Sequence, residues 1–197
     1  VQAIFLDDGT SGQHVYGNVF YKSGNAAVKI HGGKYNVIEN NVYIDMTTAN
    51  FFQLWTLENW MGQMNGNLFK TRLLADVNIL APPYSVKYPI LATFYDENRK
   101  AAPAPVDSNV VRNNVTVRTK NLLSGGTGQV GPNYAAESDP GFVDAAEMRF
   151  GLRPDSPVYD ALPEFQPIPF DEIGLYTDEY RTSLAAAPGA FELLAAL

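Results

Sequence analysis

Three stretches of the chain superimpose almost letter for letter: QHVYGNVFY (13–21), NVIENNVYI (36–44) and NVVRNNVTV (109–117). Each places a Val or Ile two residues before an Asn or Gly, then an Asn, then a Val. Asn18, Asn41 and Asn114 hold the same position in the frame. Self-similarity at a fixed period is the mark of stacked repeats. The first two copies are offset by 23 residues, about one coil of a parallel β-helix. Asn at a repeated corner has a structural reason. Its side chain hydrogen-bonds its equivalent in the next coil, and it tolerates the left-handed backbone between strands.

The frame organises residues 1–160 into about four coils and predicts a stack that starts partway, truncated at its amino-terminal side. In the first coil Ile4 and Leu6 alternate with Phe5 and Asp7, the pattern of a half-buried strand. In the second, Val28 and Ile30 point inward, and Lys29 and His31 outward. The two turns, DGTSG and GGK, differ so that outward positions pair at an offset of 24: Phe5 over Lys29, Asp7 over His31. One further step of 24 lands on Gln53 and Trp55, which predicts a third coil beginning at FFQLW. Residues 56–106 then form an insertion, helical over about 58–77, lying as a lid over the binding face. Residues 121–160 read as one or two degenerate coils. The proline-rich segment from 161 wraps the outside, and 161–197 ends in an Ala-rich helix or tail.

Composition narrows the partners. With 46% hydrophobic and 18% charged residues the chain supports a sizeable core, and at 197 residues it reads as one domain. A net charge of −7 disfavours nucleic acid and anionic membrane surfaces. No apolar run is long enough to span a membrane. Cysteine is absent, which removes disulfide and thiolate chemistry. The chain opens Val-Gln-Ala directly into a strand, as a processed or truncated piece of a longer protein does, so a missing leader says nothing of export. An open end of such a stack carries unpaired strand edges and is expected to pair with an upstream segment or a second copy.

Four segments in order carry a family resemblance: IFLDDGTSGQHVYGNVFY, IHGGKYNVIENNVYID, RLLADVNILAPPYSVKYPIL and SDPGFVDAAEMRFGLRPDSPVYD. Over residues 2–176 the chain resembles the carboxy-terminal half of bacterial right-handed parallel β-helix proteins of the pectate-lyase-like superfold. It looks most like the β-helix glycoside hydrolases of the inverting α-L-fucosidase and xylanase type. The resemblance implies an all-β, right-handed parallel β-helix, a secreted or periplasmic setting and a poly- or oligosaccharide substrate. It also implies a substrate groove on the outward face of the first strand and its flanking turns, along Asp7, His31 and Trp55. The superfold hosts several chemistries, so the reaction has to be argued from the site.

The residues themselves offer this chemistry. Asp7 points outward and Asp8 enters the turn, while strands about 4.8 Å apart bring Asp7 within reach of His31. A carboxylate beside an imidazole is an acid/base pair, so Asp7, Asp8 and His31 are the catalytic candidates. Inverting hydrolysis needs two carboxyls about 6.5–9.5 Å apart, and Asp8, Glu39, Asp45 or Glu58 are candidates for the second. Trp55 and Trp60, with Glu58 between them, are candidates for sugar contact, the rings by stacking or, alternatively, by packing the insertion. Lys29 and Lys34 are candidates for neutralising an acidic sugar. Tyr84, Tyr88 and Tyr95 either line the groove or hold the lid. No metal-ligand spacing is present and no cofactor is expected, although Asp7, Asp8 and Asp45 offer oxygens to a calcium ion. Three functions stay open: a glycoside hydrolase, a polysaccharide lyase using Lys29 and His31, and a non-catalytic carbohydrate-binding or structural β-helix.

Overall fold

The structure, a computed structural model, describes residues 1–173, 177–180 and 182–183. The chain runs four times through the same circuit of short strands. The first pass is β1 (Gln2–Leu6), β2 (His14–Tyr16) and β3 (Val19–Tyr21); the second is β4 (Ala26–His31), β5 (Val37–Glu39) and β6 (Val42–Ile44). The third is β7 (Thr48–Gln53), β8 (Val110–Arg112) and β9 (Val115–Val117); the fourth is β10 (Asn121–Gly125), β11 (Gln129–Val130) and β12 (Tyr134–Ala136). Equivalent strands stack into three parallel sheets, β1-β4-β7-β10, β2-β5-β8-β11 and β3-β6-β9-β12, a β-helix-like arrangement. Val28, Ile30, Phe52, Val15, Ile38, Val111, Phe20 and Tyr43 fill the space between them.

The corners explain the repeated letters. Between the second and third sheets one residue in each of the first three passes takes a left-handed conformation: Gly17 (φ 67°), Asn40 (57°) and Asn113 (50°). Gly and Asn are the residues that adopt this backbone cheaply. The next residue builds the ladder. Asn18 Nδ2 donates to Asn41 Oδ1 (2.9 Å), Asn41 Nδ2 to Asn114 Oδ1 (3.0 Å), and Asn114 Nδ2 to Asn133 Oδ1 (3.0 Å). Each backbone N–H donates to the same oxygen as its own side chain. Asn133 is a fourth rung that the repeat alone does not show, because its pass reads V-G-P-N-Y. A second ladder runs from the Gln13 N–H to Asn36 Oδ1 (2.9 Å) and from Asn36 to Asn109 Oδ1 (3.0 Å).

The register of the first sheet departs from the expected constant step. Phe5 pairs with Lys29 and Leu6 with Ile30, but His31 pairs with Gln53, not Trp55. Two of the corners each lose one residue on the next circuit. Leu6 to His14 is eight positions while its partner Ile30 to Val37 is seven, and Tyr21 to Val28 is seven while Ile44 to Asn50 is six. The step therefore falls from 24 to 22. A shift of two residues preserves the face on which each side chain stands.

Stacking also ends earlier than expected. Only residues 121–136 make a fourth pass. Beyond them β13 (Phe142–Asp144) and β14 (Arg149–Leu152) form an antiparallel hairpin, followed by α5 (Pro157–Ala161). Asp139 turns the chain back, its Oδ1 accepting the N–H groups of Gly141 (2.8 Å) and Phe142 (2.7 Å). Ser156 caps α5, with Pro157 in its first turn. The proline-rich run begins by lining a corner: Asn40 Nδ2 donates to Gln166 O (2.9 Å), and Gln166 N–H returns to Asn40 Oδ1 (2.6 Å). Val1–Pro167 forms one compact unit, and Ile168–Leu197 a second, whose described residues include a 3-10 turn at Phe170–Glu172. The expected Ala-rich helix (185–197) lies outside the described residues.

The insertion leaves the stack after β7 and rejoins it at β8. It contains α1 (Leu57–Asn65), α2 (Asn67–Lys70), a π-helical stretch (Thr71–Asp76), and two single turns, α3 (Tyr84–Lys87) and α4 (Pro89–Ala92). Thr56 caps α1 by accepting the Asn59 N–H (3.2 Å). Trp60, Met64, Leu74, Ile79, Phe94 and Tyr95 give the insertion its own core, onto which Trp55 packs. Among the described residues, no helix is long and apolar enough to cross a membrane.

Candidate functional site

Asp7 and Asp8 follow β1 where the first sheet gives way to its turn, and His31 is the last residue of β4 beside them. His31 Nδ1 lies 2.9 Å from Asp7 Oδ1 and 3.3 Å from Asp8 Oδ1. Asp7 Oδ1 also accepts the Asp8 N–H at 2.9 Å, while Asp7 O accepts from Thr10 N–H (3.0 Å) and Thr10 Oγ1 (2.6 Å). The turn thus fixes one oxygen of Asp7. Asp7 Oδ2 takes no hydrogen bond from the described residues. Both carboxylates are exposed.

Trp55 reaches this site from two positions beyond the residue paired with His31. Its Nε1–H donates to His31 Nε2 at 3.3 Å, and the rings meet edge to face at 5.7 Å. An indole nitrogen only donates, so Nε2 is the acceptor and the imidazole proton sits on Nδ1, donated to Asp7. The indole itself is buried over a two-glycine floor. A Cβ at Gly32 (φ 75°) would come 2.2 Å from Trp55 Cδ2, and one at Gly9 would come 3.1 Å from its Cζ3. Trp55 therefore positions His31 and packs the turn, leaving no ring face open for a sugar.

The other candidates separate. Trp60 is fully buried and donates Nε1–H to Ala102 O (3.0 Å), so it holds the insertion together. Lys34 is also fully buried. Its Nζ lies 5.7 Å from the Trp60 ring centroid without a hydrogen-bond acceptor, and desolvation pushes its pKa down against the pull of Asp107. A side chain closed off in this way touches no substrate. Lys29 stands on the outward face of the first sheet, between the rings of Phe5 (4.6 Å) and Phe51 (5.9 Å). Glu58 is exposed in the first turn of α1. Tyr95 is buried and donates its hydroxyl to Met64 O (2.7 Å), while Tyr84 and Tyr88 line a cavity.

Glu39 and Asp45 belong to other columns. Glu39 accepts from Arg112 Nε (2.7 Å) and sits 2.8 Å from His14 Nε2; burial opposes its charge, but these two partners hold its pKa down. Asp45 is bound by Arg118, whose hydrogen bond lowers the Asp45 pKa despite partial burial. Neither faces Asp7. For a cation, the group that converges among the described residues is Asp7, Asp8 and His31, with ligand atoms within 4.8 Å of one another; Asp45 takes no part. The donor set fits calcium poorly. Calcium takes six to eight oxygens, and the Trp55 bond keeps the proton on Nδ1, the nitrogen that would face the ion.

Comparison with protein-family models, with curated proteins and with solved structures finds no match to this chain.

Proposed function

We propose that the chain is part of a carbohydrate-active protein built on a right-handed parallel β-helix, acting as a glycoside hydrolase on a plant or algal polysaccharide. The observation that carries the reading is the convergence of Asp7, Asp8 and His31 at the end of the first sheet. Beside them Phe5, Lys29 and Phe51 form an outward face of two aromatic rings around a cation. That combination supplies a proton donor or acceptor next to apolar surface on which a sugar ring stacks. A secreted or periplasmic setting goes with such a substrate.

The geometry sharpens the roles. His31 is engaged at both nitrogens, so it orients Asp7 and is not itself the mobile base. Asp7 and Asp8 share one turn, each with an oxygen within 4.8 Å of the other's, which favours a second carboxylate elsewhere for an inverting pair about 6.5–9.5 Å apart. An inverting reaction then draws its second carboxylate from the insertion, where Glu58 is the exposed candidate. Lys29 favours one second reading, a polysaccharide lyase in which the cation neutralises a uronate. Product analysis after incubation with a polysaccharide panel separates these. New reducing ends without ultraviolet absorbance support hydrolysis, an unsaturated absorbing product supports the lyase, and saturable binding with no product supports a binding module.

A further inference from the structure

A concavity opens beside the turn that carries the carboxylates. It has a volume of about 480 Å³, between residues 11–13 on one side and α3, α4 and Phe94 on the other. Pockets of about 300–1,000 Å³ suit small ligands. Its floor is fixed to the next pass: Gly12 N–H donates to Lys34 O (3.0 Å), Lys34 N–H to Ser11 Oγ (3.0 Å), and Val37 N–H to Gln13 O (2.8 Å). Tyr84, Tyr88 and Phe94 contribute aromatic surface to its lining.

The polar groups point to one class of ligand. No acidic residue lines the cavity, although the whole chain carries a net charge of −7. Lys87 does line it, its Nζ 5.7 Å from the Tyr88 ring centroid. Among the described residues, neither this ammonium nor the hydroxyls of Tyr84 and Tyr88 has a hydrogen-bond or ion-pair partner. A cation and two phenols beside apolar rings complement a ring that is flat and apolar on one face, hydroxylated at its edge and negatively charged. Resting on the carbohydrate reading above, we infer that this cavity binds a sugar carrying a carboxylate, a uronate unit, as a subsite next to the Asp7–Asp8 turn. Asp8 and Ser11 are three residues apart, no more than about 11 Å along even an extended chain. A saccharide held here by one ring brings a neighbouring linkage towards the carboxylates.

The test is calorimetric titration of the full chain with galacturonate and a galacturonate trisaccharide, with galactose and its neutral trisaccharide as controls. Uronate binding is expected, weakened by added salt, with the neutral sugars bound about tenfold more weakly or not at all. Lys87→Gln should erase that preference. Ile90→Trp, filling the cavity from an exposed position, should abolish binding, whereas Lys120→Gln, at an exposed lysine outside the cavity lining, should leave it intact. Equal affinity for charged and neutral sugars, no binding of either, or uronate binding that survives Ile90→Trp overturns the inference. Circular dichroism confirms that each variant is folded. Sugar release without uronate binding sinks the subsite and spares the hydrolase reading; uronate binding without any product does the reverse.

Discussion

At the scale of single residues, buried polar groups decide most of the behaviour. Asn41 is fully buried; its Nδ2 donates to Val15 O, Glu39 O and Asn114 Oδ1, and its Oδ1 accepts two bonds from Asn18. Asn41→Ala strands those partners without water and should cost about 3 kcal/mol in chemical denaturation; Asn18→Ala, at the ladder's end, should cost about 1 kcal/mol. Lys34 works in the opposite direction. Its attraction to Trp60 is worth about 0.5–2 kcal/mol, less than the desolvation of an unpaired ammonium. Lys34→Met should therefore stabilise the fold by about 1–3 kcal/mol at neutral pH. The pH dependence follows from the lowered pKa. The unfolded chain holds a proton that the folded one gives up, so wild-type stability rises with pH between the folded value and the ordinary 10.5. Below the folded value the penalty is present in full. Denaturation curves across pH should show that slope in the wild type and lose it in Lys34→Met.

At the scale of elements, the sequence carried the strands better than their spacing. The alternation of Ile4 and Leu6 with Phe5 and Asp7 located β1, and the repeat located the second and third sheets and the Asn ladder. What it missed was the further shortening at the next corner, Ile44 to Asn50, because a corner one residue shorter keeps the same kinds of letters. Trp55 consequently stands two places beyond Gln53, the residue paired with His31, and still reaches the imidazole, since that shift keeps the face. The helix expected over about 58–77 is met by α1, α2 and the π-helical stretch, whereas the single turns α3 and α4 had no signal in the prolines and tyrosines around them. The insertion has a separate core centred on Trp60. Trp60→Ala should remove about 3–5 kcal/mol from that core. Hydrogen exchange should then show protection lost over residues 57–104 and retained in β4, β5 and β6. Equal loss in the sheets would mean that the insertion and the stack unfold as one unit.

At the scale of the whole molecule, a repeat of about 23 residues was enough to read stacked parallel strands, because each pass must bury its inward residues against the next. It did not reveal where stacking stops, since the Asp139-Pro-Gly turn resembles any other corner in a list of residues. The site was legible in part. Asp7 and His31 meet because the outward positions of paired strands are fixed by register, whereas the burial of Lys34 and Trp60 depends on how the insertion folds back. β1, β2 and β3 are edge strands of their three sheets on the same side, and the carboxylates follow the edge strand β1. The reading joins that position to a reaction through Asp7. The most direct measurement is release of reducing sugar by the wild type and by Asp7→Asn, each checked for an unchanged thermal transition. The account predicts that release falls at least about a hundredfold while the transition holds; a variant that is folded and equally active would contradict it.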